Sequence, residues 1–372
     1  MRPSATDFSW RSLWRGWGPG FFRWWICGEP PFPLCLALLA LGLALLVWGP
    51  WSGRAGGIEG KALGTVRRAQ DYVVAWRTER GIPPSPESDP WHTGLVGEEM
   101  TALTTTLGDV AAKRTACDPR WVPVLFRWFR KAGLTSGDRI TVLPSGSFPG
   151  FLLATLVAGE AAGLRIQLLP SLGSSSWGAN RGDLTLLDLL ALWRRGGFVT
   201  TRVEACTLGG GEENARDMPQ EGVELLREAA RRHGVPVLEA ESWRALRDLK
   251  AARMEAFSPR LVVQIGGGMT SLGDDPAVLE VPPGLLLPEE HAPRGDGLLA
   301  WALERRIPAV HLLDVRTLAR REGVPFDAPP DAAFGRMAPG PALVGLLLFA
   351  LVLGTHRRWS LEPLETFRSP GD

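Results

Sequence analysis

Cysteine, histidine and net charge are all scarce in this chain of 372 residues. Four cysteines are too few for a disulfide scaffold, and neither they nor the five histidines show metal-ligand spacing. The 41 basic residues are balanced by 40 acidic ones, and a net charge of +1 argues against a general nucleic-acid binder. We therefore predict no metal and no nucleic acid as ligands. The chain is long enough to bury a core without disulfides.

Two long uncharged stretches are present, at residues 33–51 and 338–355. Because about 18 to 20 apolar residues cross the hydrocarbon core of a bilayer, we predict two transmembrane helices; a buried core helix is the alternative for each. Residues 1–32 interleave tryptophan and phenylalanine with arginine, which suits the lipid headgroup layer. The first stretch is too long for a signal-peptide core, which predicts an uncleaved anchor.

Two spans would place both termini on one side of the membrane and residues 52–337 on the other. Arginines flank the spans in similar numbers on both sides, so the positive-inside rule does not set the orientation. We expect residues 52–337 to form one domain and residues 356–372 to form a tail.

Short apolar segments alternate with helical segments through this domain. Strands are predicted at 140–143, 166–169, 199–205, 235–238, 261–265 and 309–313, and helices at 151–163, 184–195, 221–233, 241–257 and 297–306. Two more helices precede them, around 63–76 and from 120 onward. Strands that are apolar throughout are typical of parallel sheets. The predicted fold is α/β: a mostly parallel, doubly wound sheet with helices on both faces, flanked by two transmembrane helices.

Four loops rich in serine and glycine follow predicted strands, at residues 144–149, 171–180, 207–211 and 266–271. Ligands bind at the carboxyl ends of strands in open parallel sheets, so we expect these loops to gather around one carboxylate or phosphate. Tight-turn chemistry is the alternative. No loop matches a dinucleotide or Walker fingerprint, so no cofactor is predicted. The candidate ligand-binding residues here are Ser145, Gly146, Ser147, Ser174, Ser176, Asn180, Gly266, Gly267 and Gly268.

A further anion-binding candidate lies upstream of these loops. Thr104 and Thr105 precede two adjacent cations, Lys113 and Arg114. Hydroxyls together with cations suit an anionic ligand. A threonine-rich helix start with solvated cations is the alternative.

A hydrolase is also consistent with the sequence. Ser145 and Ser147 follow a strand and precede a helix, where a nucleophile can be exposed, although the motif is not G-x-S-x-G. His311, in a predicted strand near Asp314, is the candidate base. A satisfied core histidine is the alternative. Whether the chain is an enzyme stays open.

The sequence places two cysteines, Cys117 and Cys206, within the domain. They would pair only in an oxidising compartment. Two independent buried thiols are the alternative.

Five segments resemble the poly-gamma-glutamate system protein family, which accompanies bacterial enzymes that make and export poly-γ-glutamate. They are LTTTLGDVAAKRT (103–115), GDRITVLPSGSFPG (137–150), SLGSSSWGANRGDLTLLDL (171–189), QIGGGMTSLG (264–273) and IPAVHLLDV (307–315). The resemblance covers about 94–326 and implies a role in capsule biosynthesis at the cell envelope. It also implies membrane-bound synthesis components as partners. It establishes no reaction, and Cys117 and Cys206 depart from the family pattern.

Three hypotheses follow. The first is an accessory protein of poly-γ-glutamate biosynthesis, export or processing that binds a glutamyl or other anionic ligand. The second is a membrane-anchored serine hydrolase or amidase acting on γ-glutamyl or cell-wall bonds. The third is a structural assembly partner without a ligand. Because the polymer is extracellular, the resemblance implies an extracytoplasmic domain on the cytoplasmic membrane, with both termini cytoplasmic.

Overall fold

The strands of the domain are short, and most of them belong to one sheet. The computed structural model describes residues 39–43 and 57–330. The strands in these residues are β1 (Thr104–Thr106), β2 (Arg139–Pro144), β3 (Arg165–Leu168), β4 (Ser174–Ser175), β5 (Asn180–Arg181), β6 (Leu184–Thr185), β7 (Leu261–Ile265), β8 (Gly284–Leu286) and β9 (Ala309–Leu312). The main sheet has the order β3-β2-β7-β9-β8. Its pairings are parallel except for β8, which runs antiparallel to β9.

Helices connect and cover these strands. They are α1 (Ile58–Glu79), α2 (Val110–Ala116), α3 (Trp121–Lys131), α4 (Pro149–Ala161), α5 (Leu186–Arg195), α6 (Gln220–His233), α7 (Trp243–Phe257), α8 (Met269–Leu272), α9 (Leu298–Glu304) and α10 (Val315–Glu322). The α/β prediction is confirmed as a mixed, mostly parallel sheet with helices. Several short elements were not predicted: the strands β1, β4, β5, β6 and β8, and the helices α2, α8 and α10.

Alternate residues of the central strand β7 pack into two hydrophobic cores. Val263 belongs to a core that also contains Val66 of α1 and Leu152 of α4. Its neighbour Val262 belongs to a second core with Leu246 of α7. Because successive side chains of a strand point to opposite faces, these two cores lie on opposite faces of the sheet.

Two predicted strands do not form. The segments 199–205 and 235–238 approach their neighbours through isolated bridges only, Leu168 to Val203 and Cys206 to Val237. One bridged residue does not make a β-ladder, so apolar composition alone was not sufficient to predict a strand in these segments. Helix α5 also begins later than predicted, at Leu186: the Thr185 side chain caps it by accepting from the Asp188 N–H, and Asp188 completes a capping box.

The predicted membrane segments fall almost entirely outside the described residues. Residues 39–43, within the first predicted span, are helical; the rest of that span, the second span and the segments 1–32 and 356–372 lie outside. Among the helices of the described residues, none is both long enough and apolar enough to cross a membrane. Residues 57–330 all belong to one compact unit.

Candidate functional site

The predicted loops meet at the carboxyl edge of the sheet. Ser145, after β2, forms a parallel bridge with Ser171, and Ser171 forms another with Thr207. The backbone N–H of Ser145 also donates to Ile265, the last residue of β7, over 2.8 Å. Because these strands are parallel, their following loops emerge together. The structure therefore brings the four loops to one place.

Several predicted binding residues use their hydrogen bonds to hold these loops. The Asn180 side-chain amide donates to the Glu98 carbonyl over 2.7 Å and to the Thr104 hydroxyl over 3.0 Å. The hydroxyls of Thr105 and Ser174 donate to backbone carbonyls of the 171–180 loop, and the Ser176 hydroxyl donates to the Thr106 carbonyl of β1 over 3.5 Å. These residues shape the site and keep few free donors for a ligand.

Arg114 and the glycines have structural roles as well. The Arg114 guanidinium makes a two-point ion pair with Asp327 over 2.6 and 2.7 Å, and this hydrogen bonding raises the pKa of Arg114. At Gly266, with φ of +83°, a Cβ would lie 2.1 Å from the Ser145 hydroxyl oxygen. A Cβ at Gly146 would lie 2.7 Å from a backbone carbonyl oxygen. Close packing therefore requires glycine at both positions. Gly267 is exposed and Gly268 half-buried.

Lys113 is the predicted residue whose environment is most unusual. Its Nζ donates to the Ser147 carbonyl and to the Ser175 hydroxyl, each over 2.6 Å. It also lies 3.8 Å from the centre of the Phe148 ring. Lys113 is only 3% exposed, and no carboxylate of the described residues lies within ion-pair distance of it. Burial lowers the pKa of this amine from 10.5 to about 7.

An exposed segment covers this amine. Asp109 caps α2 by accepting from the Ala111 N–H over 2.9 Å, and the preceding Gly108 lies against the lysine. A Cβ at Gly108 would lie 3.1 Å from Lys113 Cε and 3.3 Å from the Ser175 hydroxyl oxygen. Leu107 is 84% exposed. We call Lys113, Ser147, Phe148, Ser175 and Gly108 the Lys113 site.

A second lysine is buried at the same edge, with a different environment. Lys250 Nζ lies 3.8 Å from the Glu213 carboxylate, and both side chains are almost fully buried. Glu213 accepts hydroxyl donors from Ser171 over 2.5 Å and Thr207 over 2.6 Å, and the Thr270 N–H over 3.0 Å. Burial alone would raise the pKa of Glu213, but the Lys250 charge and these hydrogen bonds together lower it. We call these five residues the Lys250–Glu213 pair network.

His311 does not contact the predicted nucleophiles. It lies beside Gln264 on adjacent strands, and its Nδ1 donates to the Gln264 side-chain carbonyl over 2.5 Å. Burial lowers the pKa of His311 to about 4. Within the described residues, no hydrogen bond joins His311 to Ser145 or Ser147. It is a neutral histidine with a partner in the core, which is the alternative given above.

The two serines make other contacts. The Ser147 hydroxyl accepts the Ser175 N–H over 3.1 Å. The Ser145 hydroxyl accepts the Ser147 N–H at 3.4 Å, near the limit for a hydrogen bond. The structure therefore places Ser147 in the Lys113 site and Ser145 beside it, and the hydrogen bonds of neither serine involve His311.

Sequence reasoning did not select Ser175, Lys250 or Glu213. Ser175 lies in a predicted loop, but nothing local distinguishes it from Ser174 and Ser176. Lys250 had a usable signal, because it occupies the buried stripe of α7 with apolar residues at helical spacing. Glu213 had no such signal, since it ends a three-residue 3-10 turn (Gly211–Glu213) with an unusual backbone φ of +59°.

Cys117 and Cys206 are both buried and unpaired. Burial raises the pKa of Cys206 to about 12 and that of Cys117 further. Neither thiol is therefore poised as a nucleophile at neutral pH. The alternative of two independent buried thiols is confirmed.

Comparison with known proteins gives no family for this chain. No protein-family model matches it, and no curated protein matches it significantly.

Proposed function

We propose that the chain is a membrane-anchored accessory protein of poly-γ-glutamate biosynthesis, export or processing, whose α/β domain binds an anionic glutamyl ligand at the Lys113 site. The family resemblance of residues 94–326 supports the pathway. The uncharged stretches at 33–51 and 338–355 support the anchor.

The observation that carries the binding proposal is the missing counter-ion of Lys113. A buried lysine without a carboxylate is unfavourable, which is why such groups shift their pKa and cluster at functional sites. This one lies where the loops of a mostly parallel sheet converge. An incoming carboxylate would supply the partner that the domain omits and would keep the amine protonated.

Titration calorimetry of the full chain with short γ-glutamyl oligomers tests this. Lys113→Met should weaken affinity at least tenfold, since a charge-assisted hydrogen bond contributes about 1.5–3 kcal/mol. Wild-type affinity should fall as the pH rises above about 7, where free Lys113 loses its proton. The control is Lys131→Met, a change at an exposed lysine. Equal affinity in the Lys113→Met variant and the wild type would refute the proposal.

The 2.6 Å contact between Lys113 Nζ and the Ser175 hydroxyl favours a second candidate function, a serine hydrolase or amidase acting on γ-glutamyl or cell-wall bonds. A neutral Lys113 amine would take the hydroxyl proton as Ser175 Oγ attacks a carbonyl carbon. The resulting ammonium would protonate the departing amine. Lys113 would then deprotonate a water that attacks the acyl carbon, and the ammonium would return the proton to Ser175 Oγ as the acyl bond breaks.

Opposite pH dependences separate the two candidates. Hydrolysis needs neutral Lys113, so turnover of the oligomers should rise through about pH 7 while simple binding weakens. Ser175→Ala should abolish turnover and preserve binding, whereas His311→Gln should leave turnover in place. Release of free amino groups from the oligomers measures this. Absence of turnover across the pH range would exclude the hydrolase and leave the binding proposal intact.

The proposed topology places residues 52–337 outside the cytoplasm. Alkaline phosphatase fused after Ser52 should be active, and the same enzyme fused after Asp372 should be inactive. The reverse pattern would overturn the orientation without affecting the ligand proposal.

A further inference from the structure

The end of helix α5 and the segment after it line a cleft of about 470 Å³. Arg194, Arg195 and Arg202 all line this cleft, together with Gly197 and Thr200. This volume would hold a small molecule or part of a longer chain, and the cleft is wide open to solvent. The cleft shares no lining residue with the Lys113 site.

These arginines are unusual in lacking partners. Most arginines of residues 57–330 make an ion pair, a side-chain hydrogen bond or a contact with an aromatic ring. Five make none of these contacts within the described residues: Arg165, Arg194, Arg195, Arg202 and Arg320. Three of these five therefore line a single cleft, where their guanidinium donors remain available.

Local structure explains only part of this arrangement. Arg194 and Arg195 occupy the last turn of α5, where cations interact favourably with the helix dipole. Arg202 lies beyond the helix, so the dipole does not account for it. The Glu160 carboxylate nearby is already engaged, because it accepts the N–H and hydroxyl groups of Thr200 and Thr201 over 2.6–3.0 Å. Within the described residues, no carboxylate pairs with the three guanidinium groups.

We propose that this cleft binds a chain bearing several carboxylates, with the three guanidinium groups engaging successive acidic groups. A guanidinium presents paired donors that match the two oxygens of a carboxylate. Because three guanidinium groups line one cleft, they can pair with several carboxylates of an acidic oligomer, whereas a single carboxylic acid would leave most of them unpaired. The choice of glutamate as the repeating acid rests on the proposed function, whereas the basic cleft itself does not.

Fluorescence anisotropy of the full chain, purified in a non-ionic detergent, tests the cleft with a labelled octamer of γ-linked glutamate. The double change Arg195→Gln, Arg202→Gln should weaken binding at least tenfold. The matched control is Arg165→Gln, Arg320→Gln, which removes the same charge from two other unpaired arginines and should change affinity less than twofold. Binding should also weaken strongly between 0.05 and 0.5 M NaCl, because salt screens exposed charges.

Each of three other outcomes would refute the proposal that this cleft binds the acidic oligomer. Equal losses in the two double variants would show non-specific attraction, and unchanged affinity in both would show that the octamer binds elsewhere. Vesicles containing anionic lipid are a further competitor. If they displace the labelled octamer more strongly than unlabelled octamer does, and if this displacement requires Arg195 and Arg202, the cleft binds a membrane surface instead. Lys113→Met distinguishes the two proposals: if it leaves glutamyl affinity intact while the cleft variant loses octamer binding, only the Lys113 proposal fails.

Discussion

Two lysines are buried at the same edge of the sheet, and they differ in what surrounds the charge. Lys250, 1% exposed, faces Glu213 and the hydroxyls of Ser171, Thr207 and Thr270. Lys113, 3% exposed, has a carbonyl, a hydroxyl and an aromatic ring around it, and no carboxylate of the described residues pairs with it.

The difference separates a structural role from a chemical one. A buried ion pair whose hydrogen bonds are satisfied ties loops together. Burial lowers the pKa of Lys250 as well, but the Glu213 charge opposes that shift, and Lys113 has no such carboxylate partner among the described residues. A buried amine without a counter-ion has its pKa near neutrality, so it can bind an anion as a cation or accept a proton as a base. This difference supports the proposal of ligand binding at Lys113 and a structural role for Lys250.

The largest expected effect comes from breaking the Lys250–Glu213 pair. Lys250→Met should lower the free energy of unfolding by about 3–5 kcal/mol, because it leaves the Glu213 charge buried without a partner. Urea denaturation followed by tryptophan fluorescence measures this. The double variant Lys250→Met, Glu213→Gln should recover much of the loss. A single variant within about 1 kcal/mol of wild type would mean that the pair does not hold the loops.

Lys113→Met should have a smaller and pH-dependent effect on stability. The pKa of Lys113 is about 7 in the folded state and 10.5 ordinarily, so the unfolded chain binds more protons between these values. Wild-type stability should therefore gain roughly 2 kcal/mol from this residue between pH 7 and 9, and lose it as the pH falls. The variant should lack that gain. Parallel pH dependences in the two proteins would show that Lys113 is not buried as a neutral amine.

Removing a single hydroxyl should produce the smallest changes, and Ser147→Ala should be the larger of two such losses. The Ser147 hydroxyl accepts the Ser175 N–H beside Lys113, and loss of one neutral hydrogen bond costs about 1 kcal/mol. Ser145→Ala is the matched variant and should cost less, because its hydroxyl accepts a longer bond of 3.4 Å. Thermal unfolding of both variants checks the order. A larger loss in Ser145→Ala would reverse our assignment of which serine supports the site.

The pattern of the strands was sufficient to predict the α/β class and four of the strands of the main sheet. Apolar segments such as 261–265 are buried on both faces, and their apolar composition predicts that burial. The edge strand β8 escaped prediction because Gly284–Leu286 is too short to show periodicity. The segments 199–205 and 235–238 have the composition of strands but pair at single residues. Whether such a segment forms a ladder depends on the segments packed beside it, which its own sequence does not contain.

The order of strands and helices along the chain was enough to predict which loops would lie together, since the loops that follow parallel strands share one edge of the sheet. Which side chains face one another there was decided by tertiary structure, because the contacts join distant positions. Lys113 and Ser175 are 62 residues apart. Lys250 and Glu213 come from an α-helix and a short 3-10 turn with no common periodicity. The sequence alone could propose Lys113 as a cation near hydroxyls, but its burial without a counter-ion, and hence its lowered pKa, exists only in the folded domain.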